Sequence, residues 1–197
     1  MENAKFVILD IETTGLSRYM HKITEFSALK VNVDNNTTSF NTIDRYSTLI
    51  NPQRRIPSFI TSLTGITDHM VKDAPTFPDV SVDIRKFIAN NVIIAHNTTF
   101  DYNFLNHNFK ETETEELENI ALCTCKLSRR LIPHLSSYNL ENLCSHLRIN
   151  NQQAHRAMSD VLATKDLFSK LYRHMKKRNI HTVEDALRFQ KSHITKH

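Results

Sequence analysis

The chain has 197 residues, of which 40% are hydrophobic and 23% are charged, a composition typical of a globular protein with one core. Its formal net charge of +4 suits a polyanionic partner but equally fits an ordinary solvated surface. Three cysteines cannot all pair within one chain, which argues against a disulfide-rich secreted protein. Without a signal peptide or an apolar run of ~18 residues, we expect a cytoplasmic protein with no membrane contact.

Five strands are predicted from short apolar runs and from alternation of apolar and polar residues. In chain order they are Lys5–Ile11, Lys22–Val33, Tyr46–Ile50, Asn91–Ala95 and Ile120–Thr124. A turn signal at residues 34–36 favours an antiparallel meander for the first three strands.

Helices are predicted from apolar residues at helical spacing, after and between these strands. They are Ser58–Leu63, Pro78–Ile88, Thr98–Phe109, Lys126–Leu131, Asn139–Leu147 and Arg156–Lys176. This order favours an α/β fold in which a mixed sheet is flanked by helices. We expect one domain over residues 1–175 and a basic extension over residues 176–197. Apolar residues from Val183 to Phe189 predict a short amphipathic helix in that extension.

Four carboxylates lie beside apolar residues in three separate segments. Asp10 and Glu12 belong to FVILDIETTGL and point to the same side of a strand, because side chains alternate with period two. Two carboxylates beside a core repel each other and lose hydration, which predicts a cation between them. Asp101 follows the fourth strand and Asp160 begins the last long helix. If the four converge, the site is rich in oxygen and favours Mg²⁺ or Mn²⁺ over zinc.

Five segments together resemble the ordered motifs of a known enzyme family. These segments are FVILDIETTGL, LTGIT, HNTTFDYNFL, LCTCKLSRRLIPHLSSYNLENLC and HRAMSDVLAT. In this order they resemble the DnaQ-like 3′–5′ exonucleases, in the branch called DEDDh after four acids and a histidine. The resemblance covers about residues 5–172 and is strongest to the epsilon proofreading subunit of bacterial DNA polymerase III. It implies an RNase H-like five-stranded sheet.

The resemblance also implies a role for each acid and for one histidine. Asp10, Glu12, Asp101 and Asp160 would hold two divalent cations, Mg²⁺ or Mn²⁺, that clamp the attacking and leaving oxygens of a phosphodiester. His155 matches the general base that takes the proton from the attacking water. It precedes Asp160 by five residues, so we expect it on the loop before the helix, leaning into the site.

Substrate contacts are predicted on two segments. The resemblance implies that Thr13, Gly15 and Leu16 contact the 3′-terminal nucleotide. Residues near the end of the fourth strand can line a groove for the nucleic-acid strand, with aromatic rings for stacking. They are His96, Asn97, Phe100 and Phe104. A structural role for the histidine and core packing for the two phenylalanines are the alternatives, since the rings are spaced i, i+4.

Glycine is scarce in this chain, so each glycine position indicates a local backbone requirement. Gly15 and Gly65 are the two glycines of the chain. We therefore expect each where the backbone needs a positive φ or where another group approaches closely.

Together these features predict a metal-dependent 3′–5′ exonuclease that releases nucleoside monophosphates. Single-stranded DNA ends are the favoured substrate, in proofreading with a DNA polymerase subunit or in DNA repair. An exoribonuclease similar to ribonuclease T or oligoribonuclease is the enzymatic alternative, because motifs do not reveal contacts to the 2′-hydroxyl. An inactive nucleic-acid-binding module is the second alternative, and a homodimer is also open.

Overall fold

The computed structural model describes residues 1, 4–34, 38–151 and 153–193, which are built around one five-stranded sheet. Its strands are β1 (Phe6–Thr13), β2 (Ile23–Asp34), β3 (Ser39–Leu49), β4 (Val92–Ala95) and β5 (Ala121–Cys123). The order across the sheet is β3-β2-β1-β4-β5. The first three strands are antiparallel neighbours, whereas β4 pairs parallel with both β1 and β5. The predicted mixed sheet and antiparallel meander are therefore confirmed.

Eight helices are present in the described residues. They are α1 (Ser58–Thr64), α2 (Asp68–Val71), α3 (Phe77–Ile88), α4 (Thr99–Glu111), α5 (Thr124–Leu131), α6 (Leu140–Leu147), α7 (Ala157–Lys177) and α8 (Val183–Lys191). None of these eight combines the length and apolar character that crossing a bilayer requires.

The third strand differs most from its prediction. It begins at Ser39 rather than at Tyr46. The sequence pattern missed this first half because most of its side chains are exposed on the edge of the sheet and show no apolar alternation. An exposed edge strand holds its place through backbone hydrogen bonds, so its side chains need not alternate. Of the turn predicted at residues 34–36, positions 35 and 36 lie outside the described residues.

Two apolar layers cover the two faces of the sheet. Phe6 and Ile8 of β1 pack into the layer that includes α5, α6, α7 and α8. Val7, Leu9 and Ile11 pack into the opposite layer, against α3 and α4. Because side chains alternate along a strand, the even positions further along β1 also face α7. This parity directs the carboxylates of β1 toward the first turn of α7.

Helix α8 confirms the helix predicted in the C-terminal extension. It begins with a capping box formed by Thr182 and Asp185. The side chain of Gln190 lies against the outer edge of β5: its Oε1 accepts from the N–H of Cys123 at 2.8 Å, and its Nε2 donates to the carbonyl of Ala121 at 2.9 Å. This amide satisfies backbone groups that an edge strand otherwise leaves to water.

Candidate active site

Strand β1 extends past its neighbour β4, and the extension carries the first two acids. The last registered pair of the two strands is Ile8 with Ile94, whereas β1 continues to Thr13. Beyond this pairing, the N–H of Ile11 donates to Oδ1 of Asp101, on the first turn of α4, at 3.3 Å. The acid of α4 thus takes the place of a strand neighbour and is fixed beside β1.

The four predicted acids and the predicted histidine meet in one cleft. Carboxylate oxygens of Asp10, Glu12 and Asp160 lie within 4.8 Å of one another. Asp101 is only 2% exposed and lines the same cleft, of about 210 Å³, together with His155. The geometry therefore brings together residues from β1, α4 and the start of α7, which are far apart in the sequence.

The electrostatics of the acids on β1 favour a bound cation. Burial raises the pKa of Asp10 well above its usual range, and the neighbouring carboxylates, first Asp101 and then Glu12, raise it further. Burial followed by the charge of Asp160 raises the pKa of Glu12 to about 8. Such shifts show that the negative charges are poorly compensated by the protein itself. An all-carboxylate set of this kind fits a divalent cation that prefers oxygen ligands.

The acids on the helices are held by hydrogen bonds. Burial raises the pKa of Asp101 to about 8, opposed by the backbone N–H donors of Asp101 itself and of Ile11. Burial also raises the pKa of Asp160, opposed by the amide of Asn151 and the backbone N–H of His155. These donors fix the orientation of both carboxylates before any cation binds.

His155 precedes α7, as its spacing predicted. The residue is exposed at the cleft and has a positive φ of 64°, a conformation that few non-glycine residues adopt. Its backbone N–H donates to Oδ2 of Asp160 at 2.9 Å, while Nδ2 of Asn151 donates to Oδ1 of Asp160 at 3.0 Å. The loop before the helix is therefore folded back onto the first acid of that helix.

The turn after β1 is built around Thr13 and Gly15. The hydroxyl of Thr13, which is buried, donates to the carbonyl of Gly15 at 2.7 Å. A Cβ atom on Gly15 would lie 2.5 Å from the ring of His21, which confirms the expected close approach. Leu16 is 87% exposed next to this turn. These contacts leave Leu16 free to meet a ligand, and substrate binding by the turn stays a prediction.

The residues after β4 divide between the cleft and the core. His96, Asn97 and Phe100 line the cleft. Phe104 is 1% exposed and packs in the apolar layer between the sheet and α3, so the expectation that it lines a groove is corrected. Phe104 shares a face of α4 with Phe100, and their ring centroids are 4.8 Å apart. One turn further along the helix, that face packs into the core, where hydrophobic burial outweighs any contact with solvent or ligand.

His96 has protein partners at both ring nitrogens. Nδ1 lies 2.8 Å from the hydroxyl of Thr124, and Nε2 lies 2.9 Å from the carbonyl of Tyr138. Burial lowers the pKa of His96, although the Tyr138 carbonyl opposes this effect. The imidazole therefore links the end of β4 to α5 and to the loop before α6, a contact set that favours the structural alternative.

Three residues of the site were not singled out from the sequence. Asn151 holds Asp160, whereas Glu25 and Arg156 form an ion pair behind the cleft, with Arg156 Nη2 2.9 Å from Glu25 Oε1. The available signal for Glu25 was a charge inside the apolar segment ITEFSAL, where a buried strand normally carries none. Asn151 carries no comparable signal, because asparagine is common in loops.

Comparison with known proteins agrees with this geometry. The chain matches the family described as Exonuclease (RNase_T) over residues 7–168. It is 38% identical over 175 residues to the DNA polymerase III PolC-type of Oceanobacillus iheyensis and 38% identical over 172 residues to that of Bacillus subtilis. These alignments cover 89% and 87% of the chain, but it spans only 12% of the length of each relative.

Solved structures share the fold. Exonuclease X in complex with 5′-overhanging duplex DNA matches with a TM-score of 0.69 and 27% identity, covering 94% of this chain and 99% of that one. Exonuclease I of E. coli in complex with a dT13 oligonucleotide matches with a TM-score of 0.76 and 19% identity, covering 90% of this chain and 43% of that one. The second likeness concerns the fold alone. Because the family match covers residues 7–168 and a relative 38% identical aligns with 89% of the chain, the protein belongs to the Exonuclease family that its DnaQ-like motifs predicted.

Proposed function

We propose that the protein is a metal-dependent 3′–5′ exonuclease that releases nucleoside monophosphates from the 3′ ends of single-stranded DNA. The observation that carries this proposal is the set of converging oxygens from Asp10, Glu12 and Asp160, all within 4.8 Å of one another. Asp101 and His155 line the same cleft. These five residues fill every catalytic position that the motifs define.

The carboxylates are the proposed ligands of two divalent cations, Mg²⁺ or Mn²⁺. Asp10, Glu12, Asp101 and Asp160 offer only hard oxygen donors, which suit these ions. When bound, the cations would supply Lewis acidity toward water and neutralise charge that develops on the phosphate. The raised pKa values of these acids support this assignment, since a cation would relieve the repulsion among them.

His155 is the proposed general base. The imidazole would accept a proton from the water that attacks the terminal phosphate, while the bond from phosphorus to the 3′ oxygen of the remaining strand breaks. Its exposure at the cleft allows it to reach a bound phosphate and to return the proton to solvent. The turn at Thr13, Gly15 and Leu16 would hold the terminal nucleotide, and Phe100 in the cleft would contact the adjacent base.

DNA is favoured over RNA as the substrate. Exonuclease X, which is 27% identical, was solved with duplex DNA, and the PolC-type relatives are DNA polymerases. The same relatives support a DNA polymerase as partner, in proofreading.

A cytoplasmic location agrees with three unpaired cysteine thiols. A homodimer stays a prediction.

The test uses 5′-labelled single-stranded DNA and RNA of one sequence, with Mg²⁺ or Mn²⁺. We expect the DNA to shorten from its 3′ end, and Asp160→Asn to abolish the shortening. Asp166→Asn is the matched control, because Asp166 lies on the same helix but is largely exposed outside the cleft. If RNA is degraded faster than DNA, the proposed mechanism is retained and the substrate becomes RNA. Binding of ends without cleavage in either metal would contradict the proposal.

A further inference from the structure

A carboxylate outside the quoted motifs lies buried behind the candidate site. Glu25 on β2 is 4% exposed and is in register with Glu12 on β1. Registered residues of antiparallel strands point to the same face of the sheet, so Glu25 faces α7 together with Asp10 and Glu12. The charge of Glu25 adds to the repulsion among the carboxylates of the cluster. A buried carboxylate is costly unless it is paired, so Glu25 needs hydrogen-bond donors or a positive charge beside it.

Three donors hold the two oxygens of Glu25. Nη2 of Arg156 donates to Oε1 at 2.9 Å, and Nε of Arg156 donates to Oε2 at 3.2 Å. The backbone N–H of Ala157, the first residue of α7, donates to Oε2 at 3.0 Å. The side chain of Arg156 does not cap the helix that it precedes. Glu25 therefore caps α7 from a different element, and its negative charge suits a helix N-terminus.

The two residues that Glu25 binds directly follow His155. On its other side, His155 is held by the hydrogen bond from its backbone N–H to Asp160. Its positive φ of 64° is an unfavourable conformation for a non-glycine residue, and neighbouring contacts must maintain it. The hydrogen bonds of Arg156 and Ala157 to Glu25 connect this loop to the sheet that carries Asp10 and Glu12.

Glu25 differs in two ways from the acids that converge in the cleft. It does not line the cleft, and it does not belong to the cluster of converging oxygens. Both of its oxygens already accept hydrogen bonds: Arg156 donates to each oxygen in a bidentate ion pair, and the N–H of Ala157 donates to Oε2. Glu25 can therefore affect the site only through Arg156 and Ala157, the residues that it binds.

We propose that Glu25 and Arg156 are positioning residues, which tie the start of α7 to β2 and thereby orient His155 toward the carboxylate cluster. The proposal rests on the proposed function, because His155 is taken as the base.

The kinetic test compares Glu25→Gln, Arg156→Gln, Arg156→Lys and the double glutamine variant on 5′-labelled single-stranded DNA with Mn²⁺. We expect each glutamine variant to lower kcat about 10- to 100-fold, the usual cost of losing such a supporting contact. KM should stay within about threefold, because the residues do not touch the substrate. Arg156→Lys should recover part of kcat by keeping the charge without the bidentate geometry. The double variant should be no slower than the slower single variant, since both break one interaction.

Two further measurements separate positioning from metal binding and from general destabilisation. Titration calorimetry of each intact variant should give a Mn²⁺ dissociation constant within about threefold of the wild type, because neither Glu25 nor Arg156 belongs to the cluster of converging carboxylate oxygens. In metal-free protein, the imidazole NMR resonances of His155 should move in the glutamine variants. Arg85→Gln is the control, because it breaks a different ion pair: Nη2 of Arg85, on α3, lies 3.1 Å from Oε2 of Glu115. This variant should change neither kcat nor the His155 resonances.

Two results would overturn the proposal. One is an unchanged kcat in Glu25→Gln, and the other is a loss of Mn²⁺ affinity of more than about tenfold, which would make Glu25 part of the metal site. If the wild type leaves DNA intact, the proposed function fails by itself. The His155 resonances then still decide whether the pair orients the loop.

Discussion

The backbone N–H of His155 donates to Oδ2 of Asp160 at 2.9 Å, so the proposed base and one proposed metal ligand are physically linked. The link runs through the backbone of His155 and leaves its imidazole free at the cleft. A change of the side chain alone should therefore separate proton transfer from the geometry of the carboxylates.

His155→Asn is expected to lower kcat by about 10²- to 10⁴-fold, the usual contribution of a general base. Asparagine tolerates a positive φ, so the loop and its hydrogen bond to Asp160 should persist. Steady-state kinetics on single-stranded DNA and Mn²⁺ titration calorimetry are the measurements, and the metal affinity should be unchanged. His134→Asn, which also has a positive φ but lies outside the cleft lining, is the matched control. A kcat near the wild-type value would remove His155 from the mechanism.

Metal-free protein is expected to lose stability as the pH rises from about 5 to 8. The pKa values of Glu12 and Asp101 are raised to about 8 in the folded state, so between their unfolded values and pH 8 the folded state binds more protons than the unfolded chain. The free energy of unfolding therefore falls over this window. Urea denaturation in EDTA at both ends of the window measures it, and Glu12→Gln should reduce the slope. A wild-type stability that rises across the window would contradict the prediction.

Divalent cations should reverse this loss. At a Mg²⁺ or Mn²⁺ concentration of 100 times the dissociation constant, binding to the folded state adds about 2.7 kcal/mol, or roughly 5 to 11 °C in Tm. The gain should be larger at pH 8 than at pH 5.5, because the ligands must lose their protons to bind. Scanning calorimetry with and without metal provides the measurement. Asp160→Asn should abolish most of the gain, whereas Asp166→Asn should keep it.

Gly15→Ala and Gly65→Ala are expected to have different consequences. At Gly65, whose φ is 72°, a Cβ meets nothing within 4 Å, so only the strained backbone costs stability, about 1 kcal/mol. At Gly15 the Cβ would overlap the ring of His21 at 2.5 Å, and the turn must move. Only Gly15→Ala should therefore raise KM for single-stranded DNA. Equal KM values in the two variants would argue against substrate contact by this turn.

Gln190→Ala is expected to lower the free energy of unfolding by about 1 to 3 kcal/mol, because it leaves the buried N–H of Cys123 without its acceptor. Arg188→Ala, on the exposed side of the same helix, should change it by less than about 0.5 kcal/mol. Urea denaturation of both variants tests this. Equal stabilities would show that the extension contributes little to the fold.

Much of the fold and the site follows from local sequence patterns. The strand that carries Asp10 and ends near Glu12, the helix that begins near Asp160 and the position of His155 before it all follow from periodicity or spacing within about ten residues. The ordered motifs add the expectation that these segments meet. Local patterns were less informative for β3, where exposed polar residues conceal the start of a strand that backbone pairing with β2 maintains.

The sequence by itself determined which chemistry is present: four carboxylates, a histidine and a sheet whose strand ends can gather them. Only the tertiary structure decided how they are supported. Glu25 meets Arg156 across 131 positions, and Asp101 meets the backbone of Ile11 across 90. Phe104 turned out to be a core residue because α4 packs into the apolar layer against the sheet one turn beyond the cleft. Such relationships depend on strand register and helix rotation, which the packing of the whole chain sets and which no short segment encodes.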